Sequence, residues 1–126
     1  MEVREFGEYR EVGRREFRLI GYVGVDSGQL MITDPCYLGK FVNDEFTGVG
    51  SGEEGDFSYS GACRTTLTNI GGGELTRSLG GRSLGVASRT HSGDGVFPVY
   101  QVLVNDGEVA GLFVDFVGIA RKDGDS

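Results

Sequence analysis

Two cysteines and one histidine hold most of the reactive chemistry in this chain of 126 residues. Cys36 follows Asp34-Pro35 and precedes Tyr37, Cys63 stands apart, and His91 lies in Thr90-His91-Ser92-Gly93-Asp94-Gly95. A thiol, an imidazole base and an orienting carboxylate are the parts of a cysteine hydrolase, so Cys36, His91 and one of Asp34, Asp26 or Asp94 can be written as such a set. That chemistry requires residues from separate loops to meet within hydrogen-bond reach. The plainer reading of Ser92-Gly93-Asp94-Gly95 is a turn whose polar side chains bond to their own backbone. The cysteines have neither C-x-x-C spacing nor a histidine pair, which excludes an ordinary structural zinc site. They read as buried, reduced thiols, with a disulfide between them as the alternative and metal binding or a reactive thiolate after that.

Other acids and glycines give weaker signals. Asp26, Asp34, Asp94, Asp106 and Asp115 fall at strand ends or turns, but nothing has the alternating order of an EF-hand calcium loop. Asp115 interrupts the apolar run Leu112-Phe113-Val114-Asp115-Phe116-Val117. It therefore faces solvent or is buried beside a partner, for which an arginine is expected. Gly50-Ser51-Gly52-Glu53-Glu54-Gly55 matches G-x-G-x-x-G in form only, because two glutamates would stand where a pyrophosphate must bind. No metal and no cofactor are expected.

The elements that would position these residues are strands. Phe17, Leu19, Gly21, Val23 and Val25 alternate with Arg18, Ile20, Tyr22 and Gly24, then Leu30 and Ile32 alternate with Met31 and Thr33. Period two is the strand signature. Asp26-Ser27-Gly28 between the two runs predicts a β-hairpin, and Asp34-Pro35 ends its second strand. Phe57 to Leu67 also alternates and is expected as a strand. Gly71-Gly72-Gly73 and Gly80-Gly81 delimit short segments at Glu74–Leu79 and Arg82–Arg89, neither long enough for a helix. Val96–Val104 and Val109–Val117 flank Asn105-Asp106-Gly107, which predicts a central hairpin with a type I turn closed by glycine. Residues 1–16 form a mixed-charge segment leading to a short or edge strand at Phe17. Residues 39–56 read as a Gly- and acid-rich loop or lid, and 121–126 as a frayed tail.

Composition bounds the function classes. Twelve Lys and Arg against nineteen Asp and Glu give a net charge of −7, which argues against a phosphate-backbone partner, since counterion release needs a dense cationic face. No apolar run reaches the roughly 20 residues of a bilayer span, and the N-terminus has no signal-like apolar stretch. A soluble, cytoplasmic protein is expected. The 23 glycines far exceed the usual share of about 7%, and with clustered β-branched and aromatic residues they read as turns. The expected fold is all-β: a single-domain sandwich or partly open barrel built from hairpins.

Three stretches taken together resemble a known group: Val25-Asp26-Ser27-Gly28 running into Asp34-Pro35-Cys36-Tyr37, then Ser92-Gly93-Asp94-Gly95-Val96-Phe97-Pro98-Val99-Tyr100, then Val114-Asp115-Phe116. They are similar to an uncharacterised bacterial and phage family of domains of unknown function. The family carries a V-D-[AS]-G turn, a D-P segment and a G-[DE]-G-[VY]-[FY]-P-V element. The resemblance implies a shared β scaffold and a shared loop cluster, and brings no activity with it.

The leading expectation is a non-catalytic β-domain that binds a small ligand or a protein partner through loops at strand ends. Its site would be built from Asp34, Cys36, Tyr37, His91, Ser92, Asp94 and Tyr100. A hydrolase using Cys36 and His91 is the first alternative, and a structural or assembly component, phage or otherwise, the second. Pairing of an exposed edge strand with a second copy is a further expectation.

Overall fold

The computed structural model describes residues 2–5, 8–11, 15–46, 53–77 and 81–120. Its elements in chain order are β1 (Glu2–Glu5), β2 (Glu8–Glu11), β3 (Arg15–Val25), β4 (Gln29–Thr33), a 3-10 helix (Pro35–Lys40), α1 (Tyr59–Thr66), β5 (Gly72–Thr76), β6 (Ser83–Arg89), β7 (Gly95–Val104) and β8 (Glu108–Val114). The all-β class is the one observed. β1 and β2 pair with each other, and two open three-stranded sheets have the orders β3-β7-β8 and β4-β6-β5. The chain divides into two compact units, residues 1–24 with 96–126, and residues 25–95. Among the described residues no helix is long and apolar enough to cross a membrane.

Two sequence expectations are corrected by this topology. Asp26-Ser27-Gly28 does not close a hairpin: β3 pairs with β7, whereas β4 pairs antiparallel with β6. The turn instead carries the chain out of one sheet and into the other, with Gly28 at φ +71. Local alternation records that two strands flank a turn; their partners are chosen by long-range pairing. The second correction is α1, which occupies most of the expected strand at Phe57–Leu67. The Ser58 side chain caps it by accepting from Gly61 N–H at 3.0 Å, and the Asp44 carboxylate accepts from Ser60 N–H at 2.8 Å and from Ser60 Oγ at 2.7 Å. Two acceptors thus serve the orphan N–H groups of a short helix. Gly61 is required there, because a Cβ would lie 2.2 Å from the Asp56 carbonyl oxygen. The described part of the expected 39–56 loop is anchored at Val42, which bridges Ser58, with Val42 N–H donating to Phe57 O at 3.2 Å and Tyr59 N–H to Val42 O at 2.9 Å. Residues 47–52 of the expected lid, and the expected tail at 121–126, lie outside the described residues.

The unit formed by residues 25–95 buries Phe57, Ala62, Leu75 and Ala87, with Met31, Tyr37, Phe41 and Leu84 packed around them. Phe41 meets Phe57 edge to face at 5.1 Å. α1 packs on β5 and β6, close enough at Gly73 that a Cβ there would lie 3.1 Å from the Thr65 methyl, and a Cβ on Gly72 would lie 2.7 Å from Ala87 O on the neighbouring strand. In the other unit the hairpin of β7 and β8 is as expected, with Val104 opposite Glu108 and β7 central in its sheet. Its loop has the expected three residues, but its turn is of a different type. Asn105 and Asp106 both have positive φ, 48 and 65, and Gly107 N–H donates to Val104 O at 3.2 Å. Positive φ at both central residues is the type I′ signature, whose twist matches that of the flanking strands better than type I does.

Candidate functional site

The β4–β6 register decides which candidate residues can meet. Gln29 stands opposite Arg89 and Thr33 opposite Gly85. Asp34, Cys36 and Tyr37 follow one end of β4, whereas His91, Ser92 and Asp94 follow β6 at the other end, beside Gly28. With a rise of about 3.3 Å per residue, the six steps from Gly28 to Asp34 span about 20 Å. The structure therefore does not bring Cys36 and His91 together, and the proton transfer that a thiol–imidazole pair needs has no path between them.

At the Asp34 end a short structural motif uses up the polar groups. Pro35 starts the 3-10 helix, and the Asp34 carboxylate accepts from Cys36 N–H at 3.0 Å. This hydrogen bond, followed by one from the Cys36 side chain, holds the Asp34 carboxyl below its ordinary range. In return the Cys36 thiol is pushed up, first by its hydrogen bond to Asp34 and then by burial and the negative charge beside it. A raised thiol carries less thiolate at neutral pH and is a weaker nucleophile. Both cysteines are free, and Cys36 is exposed, contrary to the expected buried thiol; Cys63 is buried. Tyr37 turns inward against the Phe57 core. Tyr100 belongs to the other unit, where it meets Phe17 edge to face at 6.1 Å and stands opposite Phe113.

The Gly28 end is built differently. Thr90, 5% exposed, is the anchor: its N–H donates to Gly28 O at 3.1 Å and its hydroxyl to Gly93 O. The loop is thereby tied both to the turn preceding β4 and to itself, while His91, Ser92 and Asp94 stay exposed. Asp94 reaches over the turn, so that a Cβ on Gly28 would lie 4.0 Å from its Oδ1. Beneath the loop lies a polar group that the sequence reading missed. Gln29 Nε2 donates to Cys63 Sγ at 3.1 Å, and Thr66 Oγ1 lies 3.5 Å from Gln29 Oε1. The Tyr59 hydroxyl is raised, first by its hydrogen bond to the Cys63 side chain, then by the charge Cys63 would carry, by burial and by the Asp94 carboxylate. Tyr59 and Cys63 are one helical turn apart, and reading this segment as a strand hid the approach of Cys63 to Gln29. The Ser58 cap was the sequence signal that could have found α1.

Asp115 is buried, at 2% exposure, and its partner is not an arginine. Its Oδ1 accepts from the N–H groups of Val117, Gly118 and Ile119 at 3.2, 2.8 and 2.9 Å, and its Oδ2 from Ala120 at 2.8 Å. Burial alone would raise this carboxyl, but the four backbone donors outweigh it and the pKa is lowered. Among the described residues no group of three or more His, Cys, Asp or Glu is placed to hold a metal ion.

Site and fold thus define an all-β chain with one pinned, polar loop at a sheet end. Comparison with known proteins gives no matching family model, no matching curated protein and no matching solved structure.

Proposed function

We propose that this chain is a binding domain that takes a small ligand or a protein partner at the Gly28 end of the β4–β6 pair, through His91, Ser92 and Asp94. The observation that carries this reading is the contrast inside one loop: Thr90 is buried and bonded at both ends, while the three residues after it that bear functional side chains are exposed. A loop ordered before binding loses little freedom when it binds, so its side chains convert contacts into affinity efficiently. Asp34, Cys36 and Tyr37 then serve the fold: a cap, a thiol bonded to that cap, and an aromatic ring against the core. The test is a thermal-shift and 1H–15N spectral screen of metabolites and short peptides against the full chain. Binding is expected to move the amides of residues 26–29 and 90–94, and to weaken in a His91→Ala, Ser92→Ala double variant. Ligands that move only the Cys36–Lys40 amides, or turnover that requires Cys36 and His91, would overturn it.

A further inference from the structure

We infer that two copies of this chain associate through β3, their strands running antiparallel side by side about a two-fold axis at Tyr22. Among the described residues β3 has one strand neighbour, β7, and no turn, loop or cap hydrogen bond reaches the backbone of residues 19–25. Its outer edge therefore presents unpaired N–H and C=O groups, the template on which a further strand adds. The other outer strands are closed by their own geometry. β8 and β5 each lose register, opposite Val102/Leu103 and at Leu75/Thr76, β5 is bridged at Thr76 to Asp56, and β4 has five residues. Bulges, short length and charged side chains all blunt an edge, yet β3 is eleven residues long with neither charge nor proline from 19 to 25. The adjacent Arg18 does not guard the edge, because its Nε and Nη2 both donate to Gln101 Oε1 on β7.

The sequence of the edge selects a second copy as its occupant. With Tyr22 facing Tyr22 across the axis, Ile20 of one copy faces Gly24 of the other, Leu19 faces Val25 and Arg18 faces Asp26. Arg18 and Asp26 bracket the uncharged run, are exposed and have no ion pair among the described residues. This register therefore forms an ion pair at each end and sets no like charges opposite each other. The N–H groups of the Arg18 fork not used by Gln101 suffice for it. Gly24 fits the same pairing. A Cβ there would meet nothing within 4 Å, so no contact inside the chain accounts for the glycine, whereas opposite the exposed Ile20 it leaves room for a β-branched side chain. Tyr22, 66% exposed, gains an aromatic cross-strand partner. For a chain of net charge −7, a neutral run ending in opposite charges is a surface on which two copies meet without local repulsion.

Sedimentation velocity of the full chain from micromolar to millimolar concentration is expected to show a reversible monomer–dimer equilibrium. Tyr22→Lys, which sets two ammonium groups at the axis, should weaken the dimer at least about tenfold while the monomer keeps a folded 1H–15N spectrum. Arg18→Glu and Asp26→Arg should each weaken it several-fold, and their combination should restore it. In a Cys36→Ser background, Tyr22→Cys should form a disulfide-linked dimer under mild oxidation, because facing Cβ atoms lie about 4.5–5.5 Å apart, and Ile20→Cys should not. If Tyr22→Lys fails to fold, the charge exchange and the cross-link decide alone. A monomer throughout the range, a larger assembly, a dimer indifferent to Tyr22→Lys and to the charge exchange, or cross-linking at residue 20 in place of residue 22 would overturn the inference. The ligand reading is tested separately, by variants at His91 and Ser92 that lie outside β3.

Discussion

The two ends of the β4–β6 pair share a core and differ in what they do with polar side chains. At the Asp34 end the carboxylate is consumed by the Cys36 N–H and thiol, and the aromatic residue faces inward. At the Gly28 end a buried threonine takes the structural role, which frees a carboxylate, an imidazole and a hydroxyl for solvent. A residue type in a loop is therefore a poor guide to function until its hydrogen bonds are counted. Aspartate that caps is spent, whereas aspartate held in place by something else remains available.

The largest expected effects erase the difference by removing what both ends share. Gly61→Ala would force a Cβ against the Asp56 carbonyl, and a loss of at least about 3 kcal/mol in chemical denaturation is expected, from a backbone collision that cannot relax cheaply. Phe57→Ala, at a side chain with no exposed surface, should cost about 3–5 kcal/mol and broaden amide signals at both sheet ends together. Thr90→Val sharpens the contrast. It keeps the volume and removes the hydroxyl bond to Gly93, so a loss of about 1 kcal/mol is expected, with faster hydrogen exchange at residues 90–94 and none at Pro35–Lys40. Asp34→Asn does the converse. Without the carboxylate the Cys36 pKa falls back towards its ordinary value, so the pH profile of its alkylation by iodoacetamide moves to lower pH and the neutral-pH rate rises a few-fold.

Asp115 extends the comparison to a carboxylate that is both spent and buried. Its folded pKa lies below the ordinary value, so its stabilisation is complete above the unfolded carboxylate range and is lost as pH falls through the folded value. Asp115→Asn should flatten that acid limb in pH-dependent denaturation curves. An unchanged acid limb would mean that other groups carry it.

Much of the fold could be read from residue order, and the misreadings share one cause. Val96–Val117 was legible as a hairpin because both strands and their turn are contiguous, and Asp34-Pro35 was legible as a strand end because proline has no N–H to donate. The Asp26–Gly28 turn was misread because contiguous strands usually pair, while here each finds its partner in β7 or β6. α1 was misread because eight residues with a central glycine fit either period, and one of its acceptors, Asp44, comes from outside the local sequence. Asp115 was given the wrong partner because a backbone N–H is present at nearly every position and leaves no trace in residue type. At the candidate site, His91, Ser92 and Asp94 were legible from the turn chemistry around them. Gln29, Tyr59 and Cys63 were not, since their meeting depends on α1.

The Thr90–Gly28 hydrogen bond has a consequence for how the chain could have been assembled. Residues 25–95 leave the first sheet and come back to it with Gly28 and Thr90 already fastened together at one end of the β4–β6 pair. To the remainder of the polypeptide, so long a stretch acts as a short tied loop, and the entropy of closing it is met within the segment itself. That is the condition under which a foreign segment can be spliced into a host fold, or cut out again and bridged by a few residues, with little disturbance to the strands on either side.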